Sequence, residues 1–334
     1  MHRETMKPIP LYHADLTQQD HQQVIHALEQ PQWQDAEQTA QLEAFWSARW
    51  QRPTLALADP HDAITVLAEL LQWRMGDAVA LPPLMEPIWA EAFIQRGIQP
   101  AWLDLDPKTG HGGGQPMGLE EIAGSLKGWL DQATMGLPHF PFTLPTTLQP
   151  LVDISHAPLP LWRAQKEAIL ILQLDANLPL QGGGLTLLLL PDHLELEQAR
   201  QLRPRLPSRA AVALANSQSE QVEQLMQYRR HVAERYLEKL RPRGLFALPW
   251  YHPLRNWAFF NLDFADRRHA SEFCTFLQGA QIGCQLGCAL PPPHQRDGMQ
   301  RYQQRSVLIP LYGALQERDQ KRIINRIHRW VERQ

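Results

Sequence analysis

Between positions 54 and 190 short apolar runs alternate with amphipathic stretches, and a chain of that pattern has to bury strands between helices. Residues 54–58 read as a strand. The turn Asp59-Pro60-His61-Asp62 then opens a helix over 63–73, with Ile64, Leu67, Leu70 and Leu71 on one face. Gly76-Asp77 turns into a strand at 78–81, Pro87 starts a helix over 87–96, and Gly97 precedes a strand at 101–105. Strands at 151–154 and 168–172 follow, and the Gly182-Gly183-Gly184 turn leads into the apolar run 185–190. The class this predicts is α/β, a large domain with a mostly parallel central sheet flanked by helices.

Around that centre the pattern predicts an opening helix over 16–30 with Val24, Ile25 and Leu28 at helical spacing and Thr17 and Asp20 as a cap signal. It predicts a helical stretch near 119–130 within the Gly- and Pro-rich segment 110–150, and one long helix over 211–240. Beyond it, a strand at 257–264, a helix at 269–279, an edge strand at 281–288 and a final helix at 317–331 make a smaller α/β domain. The expected division is 1–225 for the arm and large domain and 226–334 for the small one.

With 334 residues, 44% of them hydrophobic, the chain is long enough for two such cores. Its 32 basic and 35 acidic residues give a net charge of −3, so no overall field draws it to nucleic acid or to an anionic membrane. The longest apolar run, 185–191, is far too short to span a bilayer, and the N-terminus lacks an apolar leader. Cys274, Cys284 and Cys288 are an odd number that suits a reducing, cytoplasmic setting better than a disulfide framework. Cys284 and Cys288 share a strand face without making a metal or redox site. The run His111 to Gly114 has oxyanion-loop wording, but no Gly-x-Ser-x-Gly elbow accompanies it. Of the eleven tryptophans, most are expected to be core or interface anchors.

The ending SVLIPLYGALQERDQKRIINRI closely resembles the C-terminal signature of the DegT/StrS-type aminotransferases. These are pyridoxal phosphate (PLP) enzymes of fold type I that usually aminate nucleotide-linked keto-sugars. IPLYHADL, GDAVALPPL, GIQPAWLDLDPKTG, LVDISHA, NLPLQGGG and QYRRHVAERYLEKL occur in the family's order, so the resemblance spans nearly the whole chain apart from a shortened 110–150 region.

The resemblance also implies which positions should carry the cofactor chemistry. Ala176 takes the place of the lysine that forms the imine, with Asp175 and Asn177 beside it, and the lysines Lys7, Lys108, Lys127, Lys166, Lys239 and Lys321 all lie elsewhere. Asp59-Pro60-His61 replaces the family's phosphate-binding Ser-Gly-Thr turn, Ile171 a phosphate-contacting serine, and Leu84, next to Met85, the aromatic that stacks on the pyridine ring. Proline has no N–H to offer a phosphate, and Asp59 brings a like charge. Asp153 keeps the position of the aspartate that pairs with the pyridinium nitrogen, and His156 stands where a glutamine usually lies. Both are vestigial cofactor-binding positions, Asp153 being better read as capping a turn.

The expectation is a pseudoenzyme that holds no PLP and serves a binding, regulatory or assembly role. The alternative is a working PLP-dependent aminotransferase acting on a nucleotide-linked keto-sugar. The family's active sites lie at a dimer interface, which implies a homodimer or a heteromer with an active homologue. Asp59, His61, Asp153, His156 and Asp175 would converge on the old cofactor cleft, where they would pair with one another or bind a small molecule; no metal site is expected.

Overall fold

The computed structural model describes residues 7–106, 110–113, 125–137, 147–160, 166–240, 254–287 and 297–333. Its centre is a seven-stranded sheet, β1 (Thr54–Leu57), β2 (Ala78–Leu81), β3 (Gln99–Trp102), β6 (Leu126–Gln132), β7 (Gln149–Asp153), β8 (Ile169–Leu174) and β9 (Leu185–Leu189), in the order β1-β9-β8-β7-β6-β2-β3. Every pairing is parallel except those of β9, which runs antiparallel to both β8 and β1. The Gly182-Gly183-Gly184 turn makes that reversal: Gly183 and Gly184 take φ of +64° and +87°, which side-chain-bearing residues avoid.

Strand side chains alternate between the faces and so build two cores. On one face Leu55, Leu57, Ile169, Ile171 and Leu188 pack with α3 (Pro60–Leu70) and α4 (Pro87–Gln95). On the other Ala56, Leu170, Leu172, Leu187 and Leu189 pack with α2 (Ala36–Trp50), whose Leu42 and Trp46 are fully buried. The α2 helix has no counterpart in the sequence expectation. Asp35 caps it by accepting the Gln38 N–H at 2.9 Å.

Four expectations need correction. Residues 126–130, read as helical, belong to β6: Leu126, Trp129 and Leu130 sit at helical spacing, but pairing between β2 and β7 overrides that local pattern. The long helix over 211–240 is two helices, α6 (Arg209–Glu220) and α7 (Val222–Leu240), separated by Gln221. The strand expected at 257–264 is only β10 (Phe260–Asp263), because Trp257 takes φ +53°. The opening helix forms as α1 (Gln18–Leu28) with a complete Thr17/Asp20 capping box, yet Ile25 and Leu28 of its apolar face are each 57% exposed.

The α7 helix runs between the two halves of the molecule. Its Leu225 and Met226 join the large-sheet core, while Val232, Ala233, Tyr236 and Leu240 join a second core under the antiparallel sheet β10-β12-β11. In that sheet β12 (Ser306–Ile309) lies between β10 and β11 (Gln285–Leu286), covered by α8 (Arg267–Gln278) and α10 (Glu317–Val331). A small hairpin, β4 (Asp104–Leu105) with β5 (Gly112–Gly113), extends from the large domain, and α5 (Leu196–Leu202) and α9 (Asp297–Arg305) complete the described elements. The Asp104 carboxylate accepts the Gly298 and Met299 N–H groups at 3.0 and 2.9 Å, fixing α9 to the hairpin. The arm docks through Ile9, which exchanges backbone hydrogen bonds with Gln281 and Gly283.

Cys284 donates its thiol hydrogen to the Cys274 carbonyl at 3.4 Å, so these two are free cysteines; Cys288 lies outside the described residues. No described helix is long and apolar enough to cross a membrane.

Candidate functional site

Four parallel strands of the large sheet, β2, β6, β7 and β8, end on the same side, and the segments that follow them line one cavity of ≈ 290 Å³. After β2 come Leu84, Met85 and Glu86, after β6 Thr134 and Met135, after β7 His156, and after β8 Asn177. The small domain closes the other side with Phe259, Gln285, Tyr302 and Leu308, and the arm contributes Tyr12. A crevice at the carboxyl ends of strands is where open α/β sheets bind ligands.

Asp153, the last residue of β7, is buried and is not among the residues that line the cavity. Its Oδ1 accepts both the N–H and the hydroxyl of Ser155, and its Oδ2 accepts the Gln132 side-chain amide at 3.1 Å. Burial pushes its carboxyl above the usual range in spite of those hydrogen bonds. The expected turn-capping role is therefore present: Ser155 hydroxyl, held by Asp153, in turn accepts the Gln173 N–H of β8 at 2.8 Å.

His156 is 4% exposed and stands edge-on to the Phe259 ring at 4.9 Å. The Met135 N–H donates to its Nδ1 at 3.2 Å, so the neutral ring carries its proton on Nε2. That Nε2 is buried without a hydrogen-bond partner among the described residues. Burial first, and then the fields of Arg229 and Arg255, lower the imidazole pKa to about 3, so the ring is uncharged at neutral pH. Glu86 immediately precedes α4 but does not cap it with its side chain. Burial, reinforced by Asp153 and Asp175, raises its carboxyl pKa.

The structure does not bring the five polar residues of the sequence reading together. Asp59 and His61 are not among the cavity-lining residues. Asp59 caps α3 by accepting the Asp62 N–H at 2.9 Å, and Arg205 bridges the Asp59 and Asp62 carboxylates at 2.5 and 3.0 Å. Asp175 accepts the Ala176 N–H at 2.6 Å in the turn after β8, and Ala176 itself is exposed. Among the described residues no three His, Cys, Asp or Glu side chains gather as a metal site. His111 has moved from loop wording to structure: its Nδ1 lies 2.9 Å from the Gln132 carbonyl oxygen, in contact with the same β6 end.

Sequence reasoning missed Glu86, Arg205, Phe259 and Tyr302. Glu86 had a signal, since it sits between a strand and a proline-started helix at a sheet end. The small-domain residues had none, because they meet the cavity from 82 or more positions beyond its last large-domain residue, Asn177.

This architecture defines the class: an α/β fold of the fold type I aminotransferase kind, with the cavity between its large and small domains. Among solved structures it is similar to Spr1654 from Streptococcus pneumoniae, assigned as a sugar aminotransferase and solved in its PMP form. That match has 13% identity, a TM-score of 0.82 and coverage of 98% of each chain. The aminotransferase TlmJ from Streptoalloteichus hindustanus is 17% identical, with a TM-score of 0.79 over 97% of this chain and 99% of that one. A DegT DnrJ EryC1 StrS aminotransferase from Brucella abortus is 16% identical, with a TM-score of 0.74 over 93% and 95%. No protein-family model and no curated protein sequence matches the chain.

Proposed function

We propose that this chain is a catalytically degenerate aminotransferase-fold protein that forms no imine with PLP and uses its interdomain cleft, or the surface around it, in a binding, regulatory or assembly role. The observation that carries this reading is the end of β8. It runs into Asp175, Ala176 and Asn177, and no lysine lines the cleft among the described residues. Lys127 and Lys166 lie at the opposite, N-terminal ends of β6 and β8. Lys108 lies outside the described residues. Holding an aldehyde as an imine and then moving a proton both need that amine.

Two further features fit PLP badly. A phosphate bound at a helix N-terminus needs free N–H groups and a positive field. At α3 the first residue is Pro60, the Asp62 N–H is spent on Asp59, and Arg205 already occupies the carboxylates. Asp153 has its oxygens engaged by Ser155 and Gln132.

The descriptions of the similar structures favour a second reading, a PLP-dependent aminotransferase acting on a nucleotide-linked keto-sugar. Incubation with PLP, borohydride reduction and peptide mass spectrometry separate the two. The degenerate reading expects no phosphopyridoxyl adduct, and an adduct on one specific lysine overturns it. Installing the amine alone, Ala176→Lys, is expected to leave amino transfer undetectable, because the α3 terminus is unchanged.

A further inference from the structure

The small domain carries a second cavity, along α10. Its volume is ≈ 350 Å³, within the roughly 300–1,000 Å³ of small-molecule sites. One wall is a single face of the helix, where Arg318, Lys321, Arg322, Asn325, Arg326 and Arg329 recur at spacings of three and four residues. Ala280 and Ile282, which follow α8, make the other wall. Among the described residues, five cations and no carboxylate line this groove, over about 16 Å of helix at 1.5 Å per residue.

Helix stability does not account for that charge. The dipole favours Arg329 near the C-terminus, but Arg318 and Lys321 lie toward the opposite end, where it opposes them. Arg318 with Arg322, and Arg322 with Arg326, are like-charged pairs four residues apart, an arrangement that weakens a helix. Neutralisation is slight as well: among the described residues the five form one ion pair, between Arg318 and its chain neighbour Asp319 at 3.9 Å. Burial, and then the fields of Arg333 and Arg329, lower the Arg326 pKa.

Two of the cations are fixed in place by backbone carbonyls instead. Arg322 donates to the Lys7 carbonyl at 2.7 Å and to that of Ala280 at 2.5 Å. Arg326 donates twice to the Phe276 carbonyl, at 3.0 and 3.3 Å, with its guanidinium 3.6 Å from the Phe276 ring centroid. A carbonyl orients a guanidinium without cancelling its charge, and each of these side chains has further N–H groups to give. Guanidinium forks held in this way match the oxygens of phosphate, and cations on successive turns of one helix suit several phosphoryl groups joined in a line.

We propose that the α10 groove binds an oligophosphate chain, either free polyphosphate or the phosphate tail of a nucleotide, with Arg322 and Arg326 as fixed donors and Arg318, Lys321 and Arg329 closing on it from the rim. A single phosphate reaches too few of the five cations to be held against solvent. The groove's concave shape favours a compact chain over an extended acidic peptide. The assignment does not depend on how the interdomain cleft is used.

The test is calorimetric titration of the full chain, at about 0.15 M salt, with tripolyphosphate, ATP, inorganic phosphate and a tetraglutamate peptide. Tripolyphosphate or ATP is expected to bind at least about tenfold more tightly than phosphate or the peptide. Tighter binding of ATP assigns the nucleotide as the source of the chain, and tighter binding of tripolyphosphate assigns the free polymer. Lys321 and Arg329 are exposed and have no partner that the fold needs, so the double variant Lys321→Gln with Arg329→Gln should weaken the preferred ligand at least about tenfold with an unchanged thermal melt. A control with the same loss of charge on the large domain, Arg74→Gln with Arg96→Gln, should leave binding unaltered. Affinity no greater than that of phosphate, an equal loss in the control, or no loss in the folded Lys321/Arg329 variant overturns the proposal. Tetraglutamate binding as tightly as the phosphate chains overturns it in favour of an acidic peptide.

Discussion

His156 is held neutral by its burial, and that makes it a source of acid sensitivity. Its pKa falls from 6.5 to about 3 on folding, so the unfolded chain takes up a proton in a range where the native protein does not. The native state therefore has its full margin above pH 6.5 and loses it as pH falls toward 3. At pH 5 the loss amounts to about 2 kcal/mol, at 1.36 kcal/mol per pK unit. His156→Gln should shrink the difference in urea-unfolding stability between pH 7 and pH 5 by about that amount. Asp153 works in the opposite direction: its carboxyl is raised on folding, so stability is greatest below the ordinary value of 3.8 and declines as pH rises through the elevated one. Asp153→Asn should raise stability at pH 7 relative to pH 4, measured in the same way. The amide keeps an acceptor for Ser155, and rotation of Gln132 would turn its unpartnered Oε1 toward the new N–H donors.

At the N-terminus of α3 the element is secured by its cap, its proline and an ion-pair bridge. Asp59 gives the cap, Pro60 presets the first helical φ, and Arg205 bridges Asp59 to Asp62. Asp59→Ala should cost about 1 kcal/mol of stability, the usual value of a lost cap, by chemical denaturation. Arg205→Ala should cost less than about 1 kcal/mol because that side chain is largely solvated. The β6 strand shows how far an element can depart from its local pattern. Within it, an added Cβ at Gly128 would stand 2.9 Å from the Trp73 ring, so the glycine there is matched to a neighbour 55 positions upstream. The α1 pattern was legible at its cap but not in its burial: Thr17 and Asp20 are adjacent and act locally, whereas the exposure of Ile25 and Leu28 depends on where α6 lies.

For the molecule as a whole, the arm, α7 and the small domain are joined at one buried ion pair. Asp15 meets Arg229 at 3.0 Å and also accepts the Gly313 and Ala314 N–H groups, both at 2.9 Å. Asp15→Ala would strand the Arg229 guanidinium in the interior and should cost about 3–5 kcal/mol, read as a lower urea midpoint. Of the exposed large apolar residues, Ile25 and Leu28 lie on α1, with Leu16 just before it and Trp33 just after, whereas Met75 and Ile94 lie elsewhere on the large domain. Their exposure supports the proposal that the chain assembles, with itself or with an active homologue. Light scattering is expected to give twice 38.4 kDa for a homodimer, and a 38.4 kDa monomer with nothing co-purifying would remove the assembly role.

The α/β class, the strand cores, the Gly182 to Gly184 turn and the final helix were all written locally, because apolar period, caps and glycines act within a few residues of one another. The sequence by itself also determined which residues stand where the family resemblance expects cofactor contacts: Ala176, Asp153, His156 and the Asp59-Pro60-His61 turn. Only the tertiary structure decided what those residues face. It separated Asp59 and His61 from the cleft, gave Asp153 to Ser155 and Gln132, and set Glu86 and His156 on one cavity with Phe259 and Tyr302. The physical reason is that hydrogen-bond partners and desolvation depend on groups brought together by packing across the sheet and between the domains, over separations no local pattern records.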